Sequence, residues 1–170
     1  MECNYKDSIW ALELIKLQRE DGSWGYFHSL SEPEKYPFTT EQALRRLCIL
    51  GYDSRDEVIQ KAVAYMRSCL SGETALPDRR EKTHNWDLFI TMMLSAWILR
   101  FTQEDDIAVR TAAMWAEVVT KAFSSGEYSH DRYTAAFQEV FQERPFGGRI
   151  VDFVSFYQVS LLAGRLDVNT

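Results

Sequence analysis

Hydrophobic positions along the chain recur three and four apart, which predicts an all-α fold of about seven helices. The clearest stripe is Val58, Ile59, Ala62, Val63, Met66, Cys69 and Leu70, set against a polar face of Arg55, Asp56, Gln60, Lys61 and Arg67. Such a helix is wet on one side. Ser54 with Glu57 three residues on reads as its capping box. Before it, Thr39 and Gln42 open another helix by the same device. Leu44, Leu47, Cys48 and Leu50 follow, and Gly51 closes it. A first helix starts from Asp7 or Ser8 and turns Ile9, Trp10, Leu14 and Leu17 inward.

Residues 84–101 follow a different pattern. Trp86, Leu88, Phe89, Ile90, Met92, Met93, Leu94, Ala96, Trp97, Ile98, Leu99 and Phe101 leave almost no polar face. A helix apolar all round is surrounded by protein or lipid. This one is short for a membrane span and is interrupted by Asp87, Thr91, Ser95 and Arg100. It is therefore expected to be the central and most buried helix of a water-soluble core. Thr102 and Asp105 cap a further helix to about residue 124, carrying Trp115 and Phe123. Residues 130–142 place Tyr133, Ala136, Phe137, Val140 and Phe141 on one stripe. Residues 150–162 have β-branched and aromatic content, but no partner strand exists, so helix is expected there too. The tail over 166–170 should fray.

The strongest punctuation is Gln18-Arg19-Glu20-Asp21-Gly22-Ser23-Trp24-Gly25. Asp21-Gly22 is turn chemistry, with Gly22 free to take a positive φ. Trp24 brings a large apolar plate with one N–H donor. Gln18, one helical turn back, is placed to bond frayed carbonyls and the returning chain. The unit should staple one helix end to the next helix start. Gly72-Glu73-Thr74 and Gly126-Glu127-Tyr128 repeat the signal in weaker form, with the glycines about fifty residues apart.

Phe38-Thr39-Thr40-Glu41-Gln42-Ala43-Leu44 through Leu50-Gly51-Tyr52, then Val58-Ile59 with Ala62 to Met66, resembles the repeat of the squalene–hopene cyclase and protein prenyltransferase superfamily. Gln18 to Trp24 is similar to its Gln-rich, Asp-Gly-x-Trp repeat end. The resemblance covers roughly residues 9–70. It implies an α/α toroid, in which inner and outer helices alternate around a ring. A full toroid needs about twice the helices available here. The expectation is therefore one domain over 1–170, an α/α-toroid-like array of antiparallel hairpins forming an incomplete ring. The family's chemistry is not carried over. Asp-x-Asp-Asp is absent, and Glu104-Asp105-Asp106 starts a helix, where acids complement the macrodipole. No local spacing pairs Cys with His in a zinc site. No catalytic residue, metal or cofactor is assigned.

If the buried helices start at residues 39, 84 and 130, one rim gathers Glu41, His84, Asp87, His130 and Asp131. Two His and three carboxylates could bind a divalent metal or do acid–base work. The plainer reading is preferred: Asp87 and Asp131 are first-turn acids, and each His caps or solvates a helix start. Trp86, Phe89, Met93 and Trp97, with Tyr133, could line an apolar groove, although plain core is the preferred reading there as well.

Charge and composition narrow the partners. The 170 residues carry a net charge of −6, which argues against nucleic acid. Arg79-Arg80-Glu81-Lys82 reads as a solvated loop. Cys3, Cys48 and Cys69 have no metal spacing, and reduced thiols on helix faces suit a cytoplasmic protein. Residues 1–7 are polar and charged, so no signal peptide is expected. The functional expectation is a non-catalytic helical-hairpin domain that binds a hydrophobic small molecule or a protein partner. The alternatives are a small isoprenoid or terpenoid-type cyclase or transferase relative, and a helical-repeat interaction scaffold. Phe137, Phe141, Phe153, Phe156 and Tyr157 also suggest a homodimer formed by the C-terminal third, from about His130 onward.

Overall fold

The computed structural model describes residues 5–28, 37–80, 85–144 and 156–166, with the backbone alone described at Phe156. Those residues form seven helices and no strand: α1 (Ile9–Lys16), α2 (Thr40–Ile49), α3 (Glu57–Ser71), α4 (Trp86–Phe101), α5 (Asp106–Ala122), α6 (His130–Phe141) and α7 (Phe156–Leu162). The all-α expectation holds. No helix among the described residues is long and apolar enough to cross a membrane. The chain forms two compact units, one over residues 1–79 with α1 to α3, the other over 80–170 with α4 to α7.

In the first unit, Ser8 starts α1 from extended backbone and its Oγ accepts a hydrogen bond from the Ala11 N–H at 3.3 Å. Eight residues are too few for a helix to persist alone in water, so α1 depends on burying Ala11 and Leu14. Ile9 and Trp10, expected inward, are instead 67% and 66% exposed. The helix is apolar on nearly every side, with Glu13 and Lys16 its only charged residues, so periodicity offers no contrast from which to pick a face. Leu17 is half-buried. The Thr39–Gln42 capping box is present with both of its hydrogen bonds. Ala43, Leu44 and Leu47 of α2 are buried, and Gly51 follows at φ +92°.

The stripe of α3 is buried through Val58, Ile59, Ala62, Val63 and Met66, with Cys69 and Leu70 half-buried. Its expected capping box does not form. The helix starts later, at Glu57, with Asp56 at the cap position and no side-chain cap hydrogen bond. The Asp56 carboxylate is engaged elsewhere, by Lys6 Nζ at 2.7 and 2.6 Å and by the Asp53 N–H at 2.7 Å.

In the second unit, α4 buries nine of its sixteen residues, Phe89 and the run from Met92 to Leu99. No other helix buries as many among the described residues. Asp105 caps α5 by accepting from the Ala108 N–H at 2.9 Å. Trp115 of α5 packs against Phe137 and Phe141 of α6, with ring centres 5.9 and 4.7 Å away. Phe89 meets Tyr157 of α7 edge-on at 5.6 Å. The part of the last expected helix over residues 150–155 lies outside the described residues, as do the side chains of Phe153 and Phe156.

Candidate functional site

The first unit is assembled around the turn at residues 18–28. Asp21 Oδ1 accepts from the Ser23 N–H at 2.9 Å, closing a local side-chain turn. Gly22 has φ +90°, and a Cβ built there would lie 2.3 Å from the Lys61 carbonyl oxygen. The turn therefore rests directly on the backbone of α3, and only glycine fits. Gln18 Nε2 donates to the Gly22 carbonyl at 3.0 Å and to the Val58 carbonyl at 2.9 Å. Trp24 is fully buried. Its Nε1–H donates to the Leu14 carbonyl of α1 at 2.8 Å, and its backbone N–H donates to Thr40 Oγ1 of α2 at 2.9 Å. The N–H groups of Thr40 and Glu41 find the Tyr26 and Phe27 carbonyls at 2.8 and 3.0 Å. Finally, the Asp78 carboxylate accepts from the Phe27 and His28 N–H groups at 2.6 and 2.8 Å. Gln18, Asp21, Gly22 and Trp24 thus bring one turn against α1, α2 and α3.

The repeat of this staple is only partial. Gly72 and Gly126 share the positive φ, +82° and +86°, but a Cβ at either would meet nothing within 4 Å. What recurs is the backbone conformation that ends a helix. The close seat on a neighbouring helix occurs at Gly22 and not at the other two.

Beside the staple, α1 and α2 leave an apolar groove of about 280 Å³ lined by Trp10, Glu13, Leu14, Phe38, Arg46, Ile49 and Leu50. Leu14 is buried, Phe38 and Leu50 are half-buried, and Ile49 is 80% exposed. The Arg46 guanidinium lies 4.1 Å from the centre of the Phe38 ring, within range of a cation–π contact. Among the described residues neither Arg46 nor Glu13 has an ion-pair partner. A second hollow, in the other unit, is lined by Ala96, Trp97, Arg100, Tyr157 and Ser160 and measures about 10 Å³. That is room for no more than about one water.

The sequence-predicted ligand residues are placed as follows. Glu41 is fully buried and pairs with Arg45 at 2.9 Å. Asp87 is exposed in the first turn of α4 and pairs with Arg80 at 2.8 Å. His130 and Asp131 are exposed in the first turn of α6. His84 lies outside the described residues. Trp86 is half-buried, its ring 5.9 Å from that of Phe89. Trp97 is buried and stacks on Phe101. Tyr133 is fully buried, its hydroxyl accepting from Gln158 Nε2 at 3.1 Å. Phe89, Met93 and Trp97 of α4, with Tyr133, are packed as core. Among the described residues no three His, Cys, Asp or Glu gather as a metal-binding group.

Two nucleophile-type groups of the first unit are held neutral. Burial pushes the Tyr65 phenol well up from its ordinary value, with Cys69 beside it adding to the shift. Burial likewise raises the Cys69 thiol, so it is not an activated thiolate. On the surface, hydrogen bonds from Arg55 hold the Asp53 carboxyl well below the usual carboxylate range.

The groove residues Phe38, Arg46, Ile49 and Glu13 escaped the sequence reading. The signal that pointed to them is the lack of a wet face on α1, which is as anomalous in a short surface helix as it is in α4. Comparison with protein families, with curated proteins and with solved structures yields no match. The functional reading therefore rests on the groove.

Proposed function

We propose that the chain is a non-catalytic helical domain that binds a hydrophobic small molecule in the groove between α1 and α2. The observation that carries this reading is the exposure of Trp10 and Ile49, 66% and 80%, which line the groove together with the buried Leu14. Apolar surface left in water forgoes about 25 cal/mol per Å², and a ligand in the groove recovers it. Ligand pockets span roughly 300–1,000 Å³, so a groove of about 280 Å³ suits a small ligand.

A second reading is favoured by Ile9 and Leu12, which extend the exposed apolar surface of α1 beyond the groove. In that reading a protein partner covers α1. Phe137 and Tyr157, counted toward a C-terminal interface, are buried within their own unit.

Native mass spectrometry of freshly purified protein, combined with decanol titration followed by tryptophan emission, separates the two. In the first reading a small mass is retained, or decanol shifts emission to the blue, and Trp10→Phe abolishes the shift. A bare monomer whose emission ignores decanol would remove it. A dimeric mass with no decanol response would favour the second.

A further inference from the structure

We infer that the ligand of the α1–α2 groove is an amphiphile with a single carboxylate head, seated with its head on Arg46 and its tail between Trp10, Leu14 and Ile49. The inference rests on the groove being a ligand site, as proposed above. The apolar walls take the tail. The head is argued from Arg46. Its guanidinium carbon lies over the Phe38 ring, 4.1 Å from the ring centre, and a guanidinium is a planar fork of N–H donors. That fork matches the two oxygens of a carboxylate. It has no acidic partner among the described residues, so a ligand head meets a cation already oriented and not already neutralised.

Glu13 sets the charge of the head. It lines the same groove from α1 and would repel any anion that approached it. A head with one negative charge can sit on Arg46 and gain more than it loses to Glu13. A phosphate monoester, with a charge between −1.5 and −2 at neutral pH, scales the attraction to Arg46 and the repulsion from Glu13 alike, but its desolvation cost rises with the square of its charge, and Glu13 reduces the net attraction that offsets that cost. The pair therefore selects a monoanion and orients it, head toward α2 and away from α1. The small groove volume fits a short tail, on the order of ten carbons.

The test compares decanoate, decanol and decyl phosphate on the full-length protein at pH 8, followed by Trp10 emission and by amide chemical shifts of α1 and α2. Decanoate should bind about tenfold more tightly than decanol, and decyl phosphate more weakly than decanoate. Arg46→Gln should erase the preference for decanoate over decanol. Arg46→Lys, which keeps the charge but lacks the planar fork, should retain only part of the preference. Glu13→Gln should change selectivity in the opposite direction, widening the preference for decanoate over decanol severalfold. Both residues are exposed, so these variants should melt like wild type. Decanol binding as tightly as decanoate, or Arg46→Gln keeping the preference, would overturn the carboxylate head while leaving an apolar ligand site standing. Decyl phosphate binding best of the three would overturn the monoanion and point to a phosphate head. No binding of any of the three removes the groove as a ligand site, and this inference with it.

Discussion

In residues 1–79 the helices are 8, 10 and 15 residues long, and what joins them is a set of side-chain to backbone hydrogen bonds. Those bonds reach 10, 16, 40 and 51 positions along the chain, from Trp24 to Leu14, Trp24 to Thr40, Gln18 to Val58 and Phe27 to Asp78. In residues 80–170, α4 and α5 run to 16 and 17 residues. They meet α6 and α7 through aromatic and aliphatic side chains such as Trp115, Phe137, Phe89 and Tyr157. A longer helix gains enough buried stripe to be held by packing. The short helices α1 and α2 of the first unit also tie an end carbonyl and starting N–H groups to named partners. The polar links of the second unit include the buried pair Gln158 and Tyr133 as well as exposed ones. Lys121 bridges Glu117 and Glu139 at 2.8 Å each, all three substantially exposed, where solvent screening leaves such pairs little to contribute.

The largest expected effect is at Trp24. Trp24→Ala should cost on the order of 3–5 kcal/mol, the range for deleting a buried aromatic, and it also leaves the Leu14 carbonyl without its donor. Hydrogen exchange is the discriminating readout. Amides of α1 and α2 should lose protection while those of α4 to α6 keep theirs. Equal loss in both units would show that they unfold as one, and the contrast drawn here would describe local chemistry only.

The glycines give a smaller, sharper comparison. Gly72→Ala and Gly126→Ala put a side chain into open space at positive φ, at a cost of about 1 kcal/mol each. Gly22→Ala meets the Lys61 carbonyl as well, so urea denaturation should show a loss at least twice as large. Equal losses at all three would mean that the turn can lift off α3, and that the staple is looser than its geometry.

The smallest effect is alkaline. The folded state holds Tyr65 and Cys69 protonated above their ordinary values of 10.0 and 9.0. Once pH passes those values the unfolded chain releases protons that the folded one keeps. The folded state then binds more protons, and stability falls as pH rises. For Tyr65 the loss should reach about 1 kcal/mol or less by pH 10.5. Urea midpoints at pH 8 and 10.5 should differ less in Tyr65→Phe than in wild type. An unchanged difference would mean the phenol is not held by the fold.

Local features were legible in the sequence and long-range ones were not. The cap at Thr39, the stop at Gly51, the stripe of α3 and the buried character of α4 each depend on residues within a turn or two. Ser54 and Glu57 had the right spacing for a cap, but Lys6, some fifty positions earlier, holds Asp56, and α3 starts beyond Ser54. For α1, an apolar residue on almost every side left no face to choose, so Trp10 was turned inward when it lines a groove. Within that groove, Glu13 on α1 and Arg46 on α2 are brought together only by the fold. Asp78 is a lone acid after Pro77, and nothing near it in sequence announces that its partners are Phe27 and His28.

That last link gives the first unit a direction in time. A chain is made from its N-terminus, and domains generally fold as units during synthesis. The staple at 18–28 and the helices it serves are in hand well before residue 78. Yet the N–H groups of Phe27 and His28 can bond only water or a passing neighbour until the Asp78 carboxylate exists. A partly made chain holds nearly every apolar residue of the unit and still lacks the anion that seals it. The unit is latched by one of its own last residues to be added, so completeness of the unit is itself a condition for closing the turn at its beginning.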